Sequence, residues 1–324
     1  MYKIDLKDRK ILFELDSNCR NSNTQIGKRV GLKKDVVSYR INKMINDGLI
    51  KNFWAEINTF KLGYNVYRIY INFQDVSSDV KKEIIQYFTD CKTAWAVMSV
   101  TGPIDLDVMV WVKDSLEFQQ FWNQTLDKYG SYFSDHSVSV LTGGTAFYKT
   151  FLLNEEYKET DRKFFNLVSG GKTVETDEID YKLLNILSNN ARAPLIKLAE
   201  ELNCSSQTIT YRINNLVKNG VILAFRVGID MSLLGYQNSV IDIYLNDHSK
   251  KKKIIDYLKF NPYILYFVDA IGWCDIQFEI MVKSIDHLND ILEEINTKFP
   301  GVVRKKDFWI SKKYYHLRSL PELY

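Results

Sequence analysis

The sequence predicts an α+β chain that carries two copies of one module in tandem. The tetrapeptide Tyr-Arg-Ile-Asn occurs at 39–42 and again at 211–214, which is 172 residues later. With this offset and no gaps, 17 of the 57 positions in 8–64 are identical to their counterparts in 180–236. Solenoid repeats are roughly 20–50 residues long. The longer spacing therefore indicates duplication of a whole module, and it predicts that the two halves bind related partners.

The composition predicts a soluble, cytoplasmic protein without a cofactor. With 324 residues, 46% of them apolar, the chain is long enough for several buried cores. No apolar run reaches the roughly 18 residues of a membrane helix, and the first residues are too charged for a signal peptide. Because the four cysteines and four histidines are scattered, we expect reduced thiols, no metal site and no catalytic residue.

Residues 4–58 have the periodicity of three short helices followed by a strand. The third helix is expected over 34–46, and Gly48 stands where a glycine commonly ends a helix. Residues 178–230 repeat this plan, with Gly220 in the equivalent place. A short turn before an amphipathic third helix is typical of a winged helix-turn-helix unit, whose third helix enters the major groove of DNA.

About 90 residues with a different rhythm follow each helical unit. Strands and helices are expected in the order βαββαβ, which is that of the ferredoxin-like fold. A polar stretch with a flexible Ser-Gly-Gly-Lys sequence separates the halves and is predicted to be a linker. The predicted domains are helix-turn-helix domain 1 over 1–58, ferredoxin-like domain 1 over 59–153, the linker over 154–177, helix-turn-helix domain 2 over 178–230, and ferredoxin-like domain 2 with a C-terminal tail over 231–324.

The two helical units differ in charge. Residues 1–58 carry 12 Lys or Arg against seven Asp or Glu, whereas residues 174–230 carry six against seven. A basic surplus is expected of a unit that binds phosphates, although an ordinary solvated surface has a similar composition. Charge alone therefore favours DNA binding only weakly, and more strongly for the first unit than for the second.

The outer face of each third helix carries side chains suited to DNA. Lysines suit backbone phosphates, and Ser, Thr, Gln and Asn near the start of the helix suit base edges. The predicted DNA-binding residues are Lys33, Lys34, Ser38, Tyr39, Arg40, Asn42 and Lys43 in the first copy, and Ser205, Ser206, Gln207, Thr208, Thr210, Tyr211, Arg212 and Asn214 in the second. The alternative is a three-helix bundle that serves only as a protein contact.

Two arginine positions recur in both copies, and two roles are open to each. Arg40 and Arg212 either bind a backbone phosphate or pair with an acidic residue of their own unit. Arg20 and Arg192, in the turn after the first helix, either reach a phosphate or cap the carboxyl end of that helix, where a cation is favourable.

Two further features have a structural and a functional interpretation. The six tryptophans fall mostly at core positions, so we expect packing rather than stacking on single-stranded bases. The basic tail from Arg304 to Arg318 is either a second phosphate-contacting surface or an edge strand that lysines protect from pairing.

The order and spacing of these motifs resemble the Lrp/AsnC family of "feast/famine" regulators. The first copy carries the resemblance in Asp8-x-Lys10-Ile11-Leu12, Asn18-x-Arg20, Val37-x-x-Arg40-Ile41 and Gly48-Leu49-Ile50, all before Leu62-Gly63, and the second copy in Asp180-x-Lys182-Leu183-Leu184, Asn190-Ala191-Arg192, Ile209-x-x-Arg212-Ile213 and Gly220-Val221-Ile222. The resemblance implies a DNA-binding domain followed by a RAM domain (regulator of amino-acid metabolism). It also implies face-to-face pairing of RAM sheets, which in this chain would form an intrachain pseudo-dimer, with further homo-oligomers left open.

The resemblance also implies effector loops of the form Gly-x-x-Asp between the second and third RAM strands. Gly102 and Asp105 match this pattern in the first copy, and Gly272 and Asp275 match it in the second. These four residues are the expected effector-binding residues, for a small molecule such as an amino acid. The alternative is a β-hairpin turn in which the aspartate caps backbone N–H groups without a ligand.

The predicted function is that of a sequence-specific transcription regulator that binds double-stranded DNA with two non-identical recognition helices. Two alternatives stand beside it. Some fused Lrp-like chains decarboxylate a modified tetrapyrrole, siroheme, which would require cationic or imidazole groups in the RAM pocket, and the strands over 94–100 and 264–270 contain neither His nor Arg. The other alternative is a ligand-sensing or assembly protein without DNA binding.

Overall fold

The computed structural model describes residues 2–156 and 162–322. Residues 157–161 of the predicted linker thus lie outside the described residues, as do Met1, Leu323 and Tyr324. The helices are α1 (Leu6–Asn18), α2 (Asn23–Val30), α3 (Lys34–Asn46), α4 (Ser78–Thr89), α5 (Ser115–Tyr129), α6 (Glu178–Asn189), α7 (Leu195–Glu201), α8 (Ser206–Lys218), α9 (Lys251–Leu258) and α10 (Ile285–Lys298). None of these helices is both long and apolar enough to cross a membrane.

The strands complete the predicted α+β plan of two helix-turn-helix units and two ferredoxin-like units. They are β1 (Ile50–Ile57), β2 (Asn65–Phe73), β3 (Ala94–Thr101), β4 (Leu106–Val112), β5 (Phe133–Phe147), β6 (Phe164–Val168), β7 (Ile222–Ile229), β8 (Gln237–Leu245), β9 (Ile264–Ile271), β10 (Ile276–Val282) and β11 (Val303–Leu317). The order βαββαβ occurs in β2–β5 with α4 and α5, and again in β8–β11 with α9 and α10. The predicted fold class is confirmed.

The turn between α2 and α3 depends on small residues. Gly31 adopts a left-handed conformation with φ of 69°, which ends α2. A Cβ on Gly27 would lie only 2.5 Å from the carbonyl oxygen of Leu32, so this glycine lets the turn close against α2. In the second unit Asn203 takes the left-handed conformation, with φ of 50°. Asparagine tolerates this conformation better than most residues, so both units make the same turn.

Strands β1 and β7 form an antiparallel two-stranded ribbon that joins the two helix-turn-helix units. Trp54 of β1 lies opposite Arg226 of β7, which is its own counterpart in the repeat. A pseudo-two-fold axis therefore passes through this pair. Val227 of β7 belongs to the core of the first unit and Ala55 of β1 to the core of the second. Each helical unit thus completes its core with the strand from the other half.

Arg20 and Arg192 reinforce the ribbon by exchanging partners across the same axis. The Arg20 guanidinium donates to the carbonyl oxygen of Ala191 at 2.7 Å, and Arg192 donates to the carbonyl oxygen of Cys19 at 2.7 Å. Arg192 also reaches Oδ1 of Asn23 at 3.1 Å. Each arginine therefore caps the carboxyl end of a first helix, as one of its two predicted roles required, but that helix belongs to the opposite unit.

The RAM sheets close into one eight-stranded barrel with the strand order β2-β4-β3-β11-β8-β10-β9-β5, and β5 pairs back with β2. Two long strands make this closure possible. The first part of β5 pairs with β2 of its own domain and its second part with β9 of the other domain. Strand β11 does the same with β8 and then β3. The tail prediction of an edge strand was therefore wrong, because β11 lies between two strands.

The predicted linker contains a β-strand. Residues Phe164–Val168 form β6, which pairs with the second half of β5 at the margin of the barrel. The side chain of Leu167 on this strand is buried, whereas Phe164 and Val168 are exposed. This strand of the predicted linker thus packs against the barrel.

The barrel interior contains a buried polar network that is not symmetric. Arg68 on β2 donates to both carboxylate oxygens of Asp107 on β4, at 2.9 and 2.7 Å, and to Oε1 of Gln277 on β10 at 2.7 Å. The Gln277 amide donates in turn to Asp242 on β8 at 2.6 Å. The repeat counterpart of Arg68 is the apolar Val240. The first half supplies Arg68 and Asp107 to the network, and the second half supplies Gln277 and Asp242.

A second buried charge cluster joins the first helix-turn-helix unit to the rest of the chain. Asp16 on α1 is fully buried and accepts from the Arg226 guanidinium at 2.9 Å and from Lys149 Nζ at 2.7 Å. Burial opposes ionisation of Asp16, but the charges of Arg226 and Lys149 outweigh it and hold the pKa of this carboxyl below its ordinary value. The counterpart of Asp16 in the second unit is Ser188.

We predict that Asp16→Asn destabilises the protein by about 3–5 kcal/mol, because the substitution leaves two buried cations without their carboxylate. Denaturant unfolding of the intact chain measures this change. Since the folded pKa is depressed, the stabilisation is present above the unfolded pKa of about 4 and is lost as pH falls through the folded value. The difference between the two proteins should therefore shrink on acidification.

The matched control for Asp16→Asn is Ser188→Ala at the equivalent position of α6. The Ser188 hydroxyl donates only to the carbonyl oxygen of Asn185, so we expect a loss of about 1 kcal/mol. Equal losses for the two variants would contradict a structural role for the charge cluster.

Candidate nucleic-acid interface

The third helix of each unit, α3 and α8, buries one face and exposes the opposite one. On α3 the buried residues are Val37, Ile41 and Met44. Tyr39 on the outer face is 68% exposed, and its counterpart Tyr211 on α8 is 71% exposed. A large aromatic side chain held in solvent at the same position of both helices marks a surface available to a partner.

The outer face of α3 is cationic. Lys33, Lys34 and Lys43 are exposed, as is Asn42, and Ser38 is partly buried. Lys33 occupies the position before the first helical residue but makes no capping hydrogen bond with its side chain. These lysines have the exposure and charge required to approach backbone phosphates.

The outer face of α8 is polar and nearly uncharged. Ser205 caps the helix by accepting from the backbone N–H of Thr208 at 3.0 Å, and the Thr210 hydroxyl donates to the carbonyl oxygen of Ser206 at 2.8 Å. Two of the predicted DNA-binding hydroxyl groups, those of Ser205 and Thr210, therefore also stabilise the helix itself. Gln207 and Asn214 are exposed, as are Thr210 and Tyr211, whereas Ser206 and Thr208 are partly buried. Amide and hydroxyl groups of this kind suit base edges.

Arg40 takes the second of its two predicted roles. Its Nη1 donates to Asp5 at 2.7 Å and to Asp8 at 2.8 Å, which ties α3 to the start of α1. The hydrogen bonds that it donates to these two carboxylates raise the pKa of Arg40 above its ordinary value. This arginine is thus held by two opposite charges and orients the recognition helix rather than presenting a free cation to a phosphate.

Arg212 repeats the arrangement in the second unit, where it donates to Asp177 at 2.9 Å and to Asp180 at 2.8 Å. The sequence alone does not identify the acidic partners of Arg40 and Arg212. A signal was present, because Asp8 and Asp180 are identical repeat positions and so recur together with the arginines.

The Gly-x-x-Asp loops have the geometry of hairpin turns. Asp105 accepts from the backbone N–H of Phe73 at 2.9 Å, and Asp275 accepts from that of Leu245 at 2.7 Å. Each aspartate thereby fixes its hairpin to the end of a neighbouring strand, β2 or β8. A Cβ on Gly102 would lie 2.5 Å from Cβ of Trp309, so this glycine permits close packing. Both aspartates and Gly102 thus stabilise the structure of these loops.

Comparison with known proteins agrees with this architecture. A model of winged helix-turn-helix DNA-binding domains matches residues 4–51 and 176–222, which are the two helical units. The HTH-type transcriptional regulator FL11 of Pyrococcus horikoshii is 30% identical over 148 residues, which is 46% of this chain and 97% of that protein. An uncharacterised HTH-type transcriptional regulator of Pyrococcus furiosus is 30% identical over 127 residues, which is 39% of this chain and 82% of that protein.

Among solved structures, the siroheme decarboxylase NirDL matches the whole architecture. The TM-score is 0.66 at 12% identity, and the match covers 98% of this chain and 94% of that chain. At this identity the likeness shows the fold alone, including its tandem organisation. The sequence matches to single-copy regulators, together with the two helix-turn-helix units, show that the chain belongs to the Lrp/AsnC family of transcriptional regulators, as a tandem duplication of the family's two-domain unit.

Proposed function

We propose that this protein is a transcription regulator that binds one asymmetric DNA site with two different recognition helices. One observation carries the proposal: the ribbon and the exchanged arginines join two exposed but non-identical helices, α3 and α8, into one framework. A homodimer presents two identical helices and favours palindromic sites. A single chain with different helices favours two different half-sites.

The two helices are proposed to contribute differently. Helix α3 would supply electrostatic affinity through Lys33, Lys34 and Lys43, with Asn42, Ser38 and Tyr39 at the groove. Helix α8 would supply base recognition through Gln207, Asn214 and Tyr211, with the serines and threonines of its first turns nearby. Arg40 and Arg212 would act as positioning residues, because their carboxylate partners already hold them.

Double-stranded DNA is the proposed macromolecular partner, a cytoplasmic location follows from that role, and the two RAM domains act as a pseudo-dimer within the chain. The family resemblance implies a small effector, such as an amino acid, for these RAM domains. In the described loops, Asp105 and Asp275 bind backbone N–H groups, so we place the effector elsewhere than on these carboxylates.

The enzymatic alternative rests on the fold shared with siroheme decarboxylase. The interior of the barrel has the wrong charge for a substrate rich in carboxylates. Asp107, Asp242 and Glu279 face it, and Arg68 is already paired with Asp107. We therefore propose that the protein is not an enzyme. When siroheme is incubated with the protein, the absorbance spectrum and mass of siroheme should not change. Conversion of siroheme to a decarboxylated product would contradict the proposal.

Selection of bound duplexes from a random library by the intact chain tests the proposed function. We expect an asymmetric consensus with two half-sites about one helical turn apart, and affinity that falls steeply as salt rises. A perfectly palindromic consensus would contradict the division of labour between α3 and α8. Absence of both enrichment and salt dependence would overturn DNA binding itself.

We predict that Lys33→Ala/Lys34→Ala weakens binding to all duplexes about equally and reduces the salt slope by about two, since two phosphate contacts are lost. Gln207→Ala should instead cost about 1–3 kcal/mol at one base position and leave the salt slope unchanged. Fluorescence anisotropy against salt measures both effects. Lys252→Ala/Lys253→Ala, an exposed lysine pair on α9, is the matched control and should change neither quantity.

A further inference from the structure

A cavity lies where the β1–β7 ribbon meets the barrel. Its lining comes from strand β1, from barrel strands of both RAM domains and from Leu167 of β6. The volume open to the centres of water-sized spheres is about 40 Å³. A single water needs roughly 10–15 Å³ on this scale, so the cavity has room for a group of several heavy atoms.

Part of the cavity wall is aromatic. The indole rings of Trp95 and Trp111 stack with centroids 5.7 Å apart and planes 12° from parallel. The Trp111 ring is held in place because its Nε1 donates to Thr59 at 3.0 Å. The phenol ring of Tyr266 from the other RAM domain completes this side. Such a wall favours an apolar group or a cation, which aromatic rings attract through their quadrupoles.

Two polar groups in the wall have unused hydrogen-bonding capacity. Glu56 accepts one hydrogen bond, from Trp54 Nε1 at 3.2 Å, and forms no ion pair with any described cation. The Tyr266 hydroxyl makes no side-chain hydrogen bond with the residues that the structure describes, and both side chains are partly buried. A ligand that supplies donors would therefore satisfy acceptors that water reaches only in part.

The electrostatic field at the cavity is negative on the Tyr266 side. Burial raises the pKa of Tyr266, and the carboxylates of Glu56, Glu279 and Asp269 raise it further. The buried cations of this region, Arg226 and Lys149, share the single carboxylate of Asp16 and leave one positive charge over, which Glu56 partly balances. The three carboxylates around Tyr266 outnumber that one charge. The charge that this site lacks is therefore positive.

We propose that this cavity binds a small alkylamine, with the ammonium group at Glu56 and Tyr266 and the alkyl body against Trp95 and Trp111. An amino acid would fit less well, because its carboxylate would lie close to Glu56. The ligand would touch the ribbon that carries the helix-turn-helix units as well as both RAM domains. The site differs from the Gly-x-x-Asp loops, whose aspartates bind backbone N–H groups.

Isothermal titration calorimetry of the intact chain at pH 7 tests the proposal with three compounds that share one branched body. These are 3-methylbutylamine, which is protonated at this pH, its uncharged analogue 3-methyl-1-butanol, and leucine, which adds a carboxylate. We expect the amine to bind at least about tenfold more tightly than either other compound, as one charge-assisted hydrogen bond allows. Equal affinity for amine and alcohol, tighter binding of leucine, or no binding of the amine would overturn the proposal.

Variants identify the site. Glu56→Gln keeps the bond from Trp54 but removes the charge, and we expect amine affinity to fall about tenfold with alcohol binding unchanged. Tyr266→Phe keeps the ring and should weaken amine binding several-fold, which gives a second test if Glu56→Gln folds poorly. Glu83→Gln on the exposed face of α4 is the control and should bind like the parent chain. Unchanged amine binding by both cavity variants would place the ligand elsewhere and contradict the assignment.

Discussion

The antiparallel pairing of β1 with β7 is the constraint on which the rest of the structure depends. Each strand completes the core of the opposite helix-turn-helix unit, so neither unit has its full core without the other half. The exchanged arginines Arg20 and Arg192 act across the same axis and join the turns that follow the first helices. Below the ribbon, β5 and β11 each cross from one RAM sheet to the other and close the barrel. The chain thereby reproduces within one molecule the two-fold arrangement that a homodimer would form between two.

Duplication has also allowed the two halves to become different where they meet. Arg226 lies opposite Trp54 at the axis, so two copies of the second half would place arginine opposite arginine. The barrel interior follows the same logic, because Arg68 from one half requires Asp107 and Gln277, whereas its counterpart is Val240. Removing one partner from such buried networks is costly. These asymmetric contacts favour pairing within the chain over pairing of like halves, and they keep α3 and α8 together as an unlike pair.

Much of the fold was predictable because short-range sequence patterns determine its helices and strands. Helical periodicity, Gly48 and Gly220, and alternating strands gave the order of elements in both halves, and the repeat showed that they form one module twice. Pairing between the halves has no local signature. The ribbon, the pairing of β11 with β3 and the partners of Arg20 depend on residues more than 160 positions apart. For the site, exposure of the recognition helices was predictable from their amphipathic spacing. The positioning role of Arg40 is not decided by the sequence, since its carboxylate partners lie at the N-cap and in the first turn of α1, and only the fold brings them next to α3.

The central claim is that one chain does what a homodimer of single-copy regulators would do on DNA. The most direct measurement is the ratio of chains to duplexes in the complex with a selected site, determined by native mass spectrometry at saturation. The account predicts one chain for each duplex that contains two half-sites, and further assembly of chains would preserve this ratio. Two chains on one such duplex, each using a single helix-turn-helix unit, would contradict it.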